Sequence, residues 1–180
     1  MEHKIAKFGC FFGFLSIFLY YISPLYGSWW FSLGLLGRGM NMMYGGDRLN
    51  AFGAVYTDDS NRQILGPIGF FAGLLTLTGS FLLLFGIINT NKIIGLIGGI
   101  LISTGPLLFL LALHLPMAEP FYLYYFREKG ILFGGREVEV WGSDFPGLRL
   151  WSLGPGFYIA LAAGILGIIG AAILSDEDFS

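Results

Sequence analysis

The side chains that could carry out acid–base chemistry lie at the edges of long apolar runs or between them. His114 ends one such run, and a nearby carboxylate such as Glu119 could act with it as an acid–base pair at a membrane surface. A haem or metal ion on His114 would need a second ligand, and the other histidine, His3, is expected at the opposite membrane face. An interfacial or backbone-bonded histidine is the simpler interpretation, so the sequence offers no catalytic residue.

Oxygen ligands for a calcium ion occur together in Asp58, Asp59, Ser60 and Asn61, with Asp47 as a further candidate. Their spacing does not match an EF-hand and is typical of an ordinary turn, which we favour. Paired carboxylates could also hydrolyse a glycosidic bond, although spacing selects no pair. The remaining loop carboxylates are expected on a solvated surface: Glu119, Glu128, Glu137, Glu139 and Asp144. We predict no metal and no cofactor, and favour a non-enzymatic role over an enzymatic one.

The composition places the chain in a membrane. Of its 180 residues 55% are hydrophobic and 12% are charged, against about 25% charged in an average soluble domain. A globular protein this short could not bury so much apolar surface, which excludes a soluble enzyme, a nucleic-acid-binding protein and a disordered chain. The net charge of −2 leaves no basic surface for nucleic acid, and the single cysteine, Cys10, excludes an internal disulfide. The partners that we expect are membrane lipids, other membrane proteins or copies of the same chain.

Four long uncharged stretches predict membrane-spanning helices. They cover residues 8–22, 64–88, 93–115 and 156–174, and a span needs about 20 apolar residues. The first stretch is long enough only if Ile5 and Ala6 join it. No Asp, Glu, Lys or Arg lies within the four stretches, which argues against a pump, a proton-coupled carrier or a voltage sensor. We predict an all-α transmembrane four-helix bundle that forms one domain over residues 1–180.

The connections between the spans predict the topology. A short turn joins spans two and three, so the long loops, residues 23–63 and 116–153, must share one side and the termini the other. Seven basic residues occupy the long loops, but the positive-inside rule counts residues close to the spans, where Lys4, Lys7 and Lys92 are dense. We therefore expect a plasma or cytoplasmic membrane protein with its termini inside and its loops outside.

The two long loops resemble each other. Residues 44–53 and 133–142 both read aromatic-Gly-Gly, then charged residues, then aromatic-Gly, and each loop returns to the membrane through Leu-Gly-Pro, at 65–67 and 153–155. The separation between the double glycine and the proline differs by one residue. Chance is the alternative because glycine is abundant, but we favour an internal duplication of helix-loop-helix. Repeat one would cover about 6–88 and repeat two about 93–174, related by an axis along the membrane normal.

The second loop has the alternation of a β-hairpin. Polar and apolar residues alternate over 137–140 and 148–151, with a turn at 143–147. A five-residue turn would pair Val140 with Leu150 and place Trp141 opposite Arg149. We expect this hairpin to join strands of the first loop, such as residues 51–57, in a small β-containing cap outside the membrane.

Aromatic residues and small residues suggest where the protein makes contacts. Every tryptophan falls in the two loops, where it could belong to an interfacial aromatic belt or to a surface for a partner. The candidate partner-binding residues are Trp29, Trp30, Tyr44, Trp141 and Trp151. Small residues at intervals of four in the spans predict close helix packing. These helix-packing residues are Gly69, Gly73, Gly95, Gly99, Gly156, Gly164 and Gly167, and the extra stripe in span four leaves room for a neighbouring subunit.

Four spans and two structured outer loops resemble the claudin-like tetraspan group. In that group the first loop carries a tryptophan followed by Gly-Leu-Trp, and an arginine precedes the second span. The segment from Trp30 to Leu36 and Arg62 are similar to this pattern. The loop cysteines of that pattern are missing, and Leu36 stands where a tryptophan is expected. We predict a structural or accessory subunit that interacts through its outer loops and glycine-rich helix faces. The alternatives are a passive channel or carrier for an apolar molecule or lipid, and a membrane-surface enzyme.

Overall fold

The computed structural model describes residues 2–36, 42–44, 48–57, 60–115, 135–141 and 145–174. The helices are α1 (Glu2–Ile22), α2 (Pro24–Gly27), α3 (Gly66–Ile88), α4 (Lys92–His114) and α5 (Pro155–Ala172). The strands are β1 (Trp30–Leu36), β2 (Met42–Tyr44), β3 (Arg48–Leu49), β4 (Ala54–Thr57), β5 (Ser60–Gln63), β6 (Gly135–Trp141) and β7 (Phe145–Leu153).

Within these ranges, four helices are long and apolar enough to cross a membrane, namely α1, α3, α4 and α5. This confirms the prediction of a mainly helical chain with four apolar helices. Helix α1 begins well before the apolar run and has 21 residues, which gives it a length of about 31 Å. The apolar run of residues 8–22 alone is shorter than the ~30 Å hydrocarbon core, so Ile5 and Ala6 must extend it, with the ammonium group of Lys7 reaching toward the headgroups.

The prolines of the two Leu-Gly-Pro tripeptides both stand in the first turn of a helix, where a missing N–H costs no hydrogen bond. The preceding glycines differ in conformation. Gly66 adopts φ of +63°, a left-handed value that favours glycine, whereas Gly154 has φ of −85°. Both tripeptides therefore lie at the start of a helix, but the backbone enters α3 and α5 with different dihedral angles at the glycine.

The four long helices form a closed ring in the order α1, α3, α4, α5, with each helix packed on the next and α5 packed on α1. At one end Gly170 packs on the backbone of Ala6, and Gly86 packs on that of Gly95 beside the α3–α4 turn. At the other end Gly156 packs on Gly27. The chain ends of α1 and α5 thus lie with the short turn, and the long loops lie at the opposite end.

The strands described in the two loops form two small sheets. The larger has five strands in the order β2-β1-β7-β6, with β3 also paired to β1. Strand β1 pairs with β7 along its whole length, from Trp30 opposite Leu153 to Leu36 opposite Gly147. The two loops are therefore joined by backbone hydrogen bonds. The expected partner was wrong, however, because residues 54–57 form β4 and pair with β5 in a separate two-stranded sheet.

The register of the β6–β7 hairpin also differs from the sequence-based prediction. Val140 lies opposite Pro146 rather than Leu150, and Trp141 lies opposite Phe145 rather than Arg149. The prediction treated the hairpin alone, whereas β7 is a central strand and its register must suit β1 as well as β6.

Candidate functional site

The loop end of the bundle is closed by Trp29, in the segment between α2 and β1. Its indole Nε1–H donates a hydrogen bond to the backbone carbonyl of Ser16, at 3.0 Å. Its ring lies edge-on to Phe109 of α4 and Phe157 of α5, at centroid distances of 5.2 and 6.1 Å. Three of the four long helices therefore meet at one loop side chain, which ties the loop end of the bundle together.

Backbone hydrogen bonds hold this segment from both sides. The N–H of Trp29 donates to the carbonyl of Leu49 at 2.8 Å, and its carbonyl accepts from the N–H of Gly154 at 2.9 Å. One residue of the first loop thus links β3 to Gly154, the residue that precedes α5. This junction couples both long loops to the helices.

Burial corrects the partner-binding prediction for Trp29 and Trp30, because both are 0% exposed. They belong to a buried cluster that continues through Leu49, Phe109 and Phe157. A partner cannot touch either ring while this cluster is packed. The sequence could not distinguish these indoles from surface ones, because tryptophan is common both in membrane-interface belts and in cores.

The other three candidate partner-binding residues lie on the larger sheet. By backbone register Tyr44 on β2 is opposite Gly34, Trp151 on β7 is opposite Ser32, and Trp141 ends β6. Their side chains lie outside the part of the chain that the structure describes. Their role in binding a partner therefore stays a prediction.

Of the acid–base pair proposed from the sequence, only His114 lies among the described residues. The ring Nδ1 of His114 lies 2.8 Å from the carbonyl of Leu110, one turn earlier in α4. A carbonyl only accepts, so this contact requires the proton on Nδ1. Glu119 lies outside the described residues. His3 stands on the first turns of α1, at the opposite end of the bundle from His114.

The possible calcium ligands fall mostly outside the structure that can be described. Asp47, Asp58 and Asp59 are not among the described residues, and Ser60 and Asn61 are placed on β5 by their backbone alone. Among the described residues, no group of three or more His, Cys, Asp or Glu side chains could hold a metal ion. The calcium interpretation therefore gains no support from the geometry.

Three hydroxyl groups inside the bundle donate to carbonyls of their own helices, whereas the buried hydroxyl of Ser103 on α4 has no hydrogen-bond partner among the described residues. The hydroxyl of Thr76 donates to Ala72, and that of Ser80 donates to Thr76, each one turn earlier in α3. On α1 the hydroxyl of Ser16 donates to Gly13 at 2.7 Å. These three donating hydroxyls can occupy an apolar interior because each has a partner. None is held as an activated nucleophile beside a base.

Close helix approach occurs at four of the predicted packing glycines. Gly99 of α4 faces the backbone of Gly167 and Ile168 on α5, so a methyl group there would lie 2.6 Å from the amide nitrogen of Ile168. Gly164 faces Ser103 in the same interface, and Gly95 faces Ala171. Small residues at intervals of four thus lie where α4 crosses α5.

The other three predicted packing glycines contact loop segments instead of a long helix. Gly73 faces the ring of Phe52, and Gly69 faces Leu65 and Gly53, which lie at the turn before α3. Gly156 faces Gly27 at the end of α2. This corrects their assignment as contacts between long helices, because the first loop, including α2, packs on the loop ends of α3 and α5.

The expected free face of α5 is also corrected. Gly164 and Gly167 face α4, and Gly170 faces the backbone of Ala6 on α1. Both small-residue stripes are used inside the chain, because α5 lies between α1 and α4 in the ring. The stripes of α5 therefore leave no glycine surface of the kind expected for a neighbouring subunit.

The tightest α3–α4 contacts were missed from the sequence. Gly79 faces the backbone of Gly98, and Gly86 faces that of Gly95. Gly105 faces Ala72 and Thr76. In the sequence these glycines are seven residues apart rather than four. Gly79 and Gly86 form one such pair on α3, and Gly98 and Gly105 form another on α4. An interval of seven is the repeat expected of helices that cross at a shallow angle.

No known protein family, curated protein or solved structure matches this chain. The resemblance to claudin-like proteins therefore rests on the residues quoted from the sequence alone.

Proposed function

We propose that the chain is a structural or accessory subunit of a membrane assembly that makes its specific contacts through the outer loops. The observation that carries this proposal is the use of the bundle interior for packing. One buried cluster, around Trp29 and Phe109, fills the loop end, and a second, around Leu83 and Ile102, fills the end near the termini. Because the interior is filled by these clusters, a partner would be recognised at the protein surface.

The same observation favours this role over a carrier for an apolar molecule. A carrier needs space between its helices, but adding one methyl group at Gly98 or Gly99 would already overlap backbone atoms of the neighbouring helix. Trp29 also lies across the loop end, held by a hydrogen bond and two ring contacts. An interior packed in this way stabilises the fold and does not provide the space that a carrier needs.

An association assay tests the proposed role. The full chain would be extracted from its native membrane in a non-denaturing polymer and sized by mass photometry. We expect a particle larger than one chain in polymer, and expect a Tyr44→Ser, Trp141→Ser, Trp151→Ser variant to be smaller with unchanged thermal unfolding. Phe81→Leu is the control, because it alters a lipid-exposed aromatic residue outside the loops. A wild-type particle containing one chain and no partner would contradict the proposal.

We infer that the sheets form a cap outside the membrane and that the termini lie inside. The larger sheet supports the first part, because it continues from the loop end of the bundle through the hydrogen bonds of Trp29. The single cysteine, Cys10, is buried, so new cysteines can be labelled separately. An impermeant maleimide on intact cells should label Lys129→Cys in the second loop and spare Asn89→Cys in the α3–α4 turn. The reverse labelling pattern would place the loops inside.

We also propose that the chain arose by duplication. The ring order supports this, because an axis along the bundle that exchanges α1 with α4 also exchanges α3 with α5. Prolines in the first turn of α3 and of α5 support it as well. The two loops differ in how their hairpins pair. Strands β4 and β5 form a sheet of their own, whereas the β6–β7 hairpin pairs with β1. On this proposal the second repeat kept its hairpin in the shared sheet, and the likeness to claudin-like proteins is one of topology.

A further inference from the structure

One face of α1 combines positive charge with exposed aromatic rings at the end of the bundle that holds the termini. Lys4, Lys7, Phe8 and Phe11 stand at positions i, i+3, i+4 and i+7, which bring them onto a single helix face. Among the described residues, these four line an open groove of about 580 Å³. We call this feature the Lys–Phe groove.

The groove faces away from the rest of the helix bundle. The opposite face of α1 is buried, since Ala6 packs on Gly170 and Gly9 packs on Gly167 of α5. Phe8 and Phe11 remain 56% and 57% exposed. Each ring also contacts Phe12, at centroid distances of 6.3 and 5.6 Å. Phe12 packs on the buried cluster at this end of the bundle, so the aromatic wall is braced from behind.

Charge and apolar surface are separated along the groove as they are along a phospholipid. The apolar stretch of α1 begins at Phe8, which places Lys4 and Lys7 at the level of the headgroups and the two phenylalanines at the level of the acyl chains. Among the described residues that line the groove, none carries a carboxylate. The like charges of Lys4 and Lys7 repel each other, and a phosphate between them would remove that repulsion.

We propose that the Lys–Phe groove binds one anionic phospholipid. Its phosphate accepts hydrogen bonds from the ammonium groups of Lys4 and Lys7, and an acyl chain lies along Phe8 and Phe11. A free phosphate would use only the cationic half of the groove, so the exposed rings favour a lipid. The proposal is independent of any partner at the loops, because the groove lies at the opposite end of the bundle.

Native mass spectrometry of the full chain, released from nanodiscs, tests this site. Equimolar phosphatidylglycerol and phosphatidylcholine with the same acyl chains would compete for the protein. We expect one phosphatidylglycerol to be retained in preference to phosphatidylcholine. In a Lys4→Gln, Lys7→Gln variant the affinity for phosphatidylglycerol should fall on the order of 30-fold, the loss expected for two lysines near an anionic surface. Phe8→Ala with Phe11→Ala should weaken retention of both lipids.

Matched controls distinguish binding at the Lys–Phe groove from nonspecific electrostatic attraction between anionic lipids and the protein. Lys92→Gln removes a charge at the same end of the bundle but outside the groove, and it should leave retention unchanged. Lys4→Arg with Lys7→Arg should retain the lipid, and thermal unfolding should show that every variant is folded. Millimolar glycerol phosphate should not displace the lipid. Equal retention of both lipids by the wild type, an equal loss in Lys92→Gln, or displacement by glycerol phosphate would overturn the proposal.

Discussion

Gly99→Ala should destabilise the bundle, although alanine is the better helix former. The added methyl carbon would lie 2.6 Å from the amide nitrogen of Ile168 and 2.8 Å from the carbonyl carbon of Gly167. Both atoms belong to the backbone of α5, so the overlap is relieved only if the whole helix moves away. Overpacking of this kind costs about 1–3 kcal/mol, against a gain of up to about 1 kcal/mol from helix propensity.

Gly95→Ala is the matched control, because it makes the same change one turn earlier on α4 and toward the same helix. Its methyl carbon would meet the side-chain carbon of Ala171 at 3.0 Å, a contact that a shift of a few tenths of an ångström relieves. The gain in helix propensity should offset that cost. We therefore expect Gly99→Ala to unfold with a free energy about 1–2 kcal/mol lower than Gly95→Ala.

The measurement is reversible unfolding in mixed micelles, with sodium dodecyl sulfate as the denaturant and tryptophan fluorescence and far-ultraviolet circular dichroism as probes. Both probes should give the same midpoint if unfolding is two-state. Equal free energies of unfolding for Gly99→Ala and Gly95→Ala would refute the close crossing of α4 and α5. A stabilised Gly99→Ala would refute it more strongly.

Three further predictions concern a helix contact, a cap and a strand register. Gly13→Ala should destabilise the protein because the new methyl group would overlap the hydroxyl of Ser80, and Ser80→Ala should restore part of the loss in a double-mutant cycle. Asn91→Ala should cost about 1 kcal/mol of unfolding free energy, because it removes the side-chain cap of α4. Cysteines replacing Val138 and Leu148, which are directly opposite, should cross-link faster on oxidation than cysteines at positions 140 and 150. A faster bond between 140 and 150 would restore the register expected from the sequence.

The helices could be predicted from the sequence because the signal for each is local. An uncharged stretch of about 20 residues is sufficient to indicate a span, whatever its neighbours are. The prolines at the starts of α3 and α5 and the asparagine cap of α4 are also local signals. The start of α1 was less visible, because Lys4 and Lys7 interrupt the apolar pattern without interrupting the helix.

The candidate site was less predictable because burial depends on what packs above each residue. Trp29 and Trp30 have the sequence context of interfacial tryptophans, yet the loop folds inward and covers both rings. Gly69 and Gly73 carry the interval of a helix crossing, yet the turn at Gly53 and Phe52 lies against them. The local sequence pattern predicts neither the burial of these tryptophans nor the contacts of these glycines.

The sequence by itself determined that the chain has four apolar helices, that their apolar stretches contain no Asp, Glu, Lys or Arg, and that a short turn joins the second long helix to the third. Those properties follow from composition and chain order. Only the tertiary structure decided which glycine meets which helix, and that β7 pairs with β1 rather than with residues 54–57. A glycine has no side chain to mark its partner, and a strand can pair with any edge that is brought near it. Both therefore depend on how the helices pack into a ring and on where that packing places the two loops.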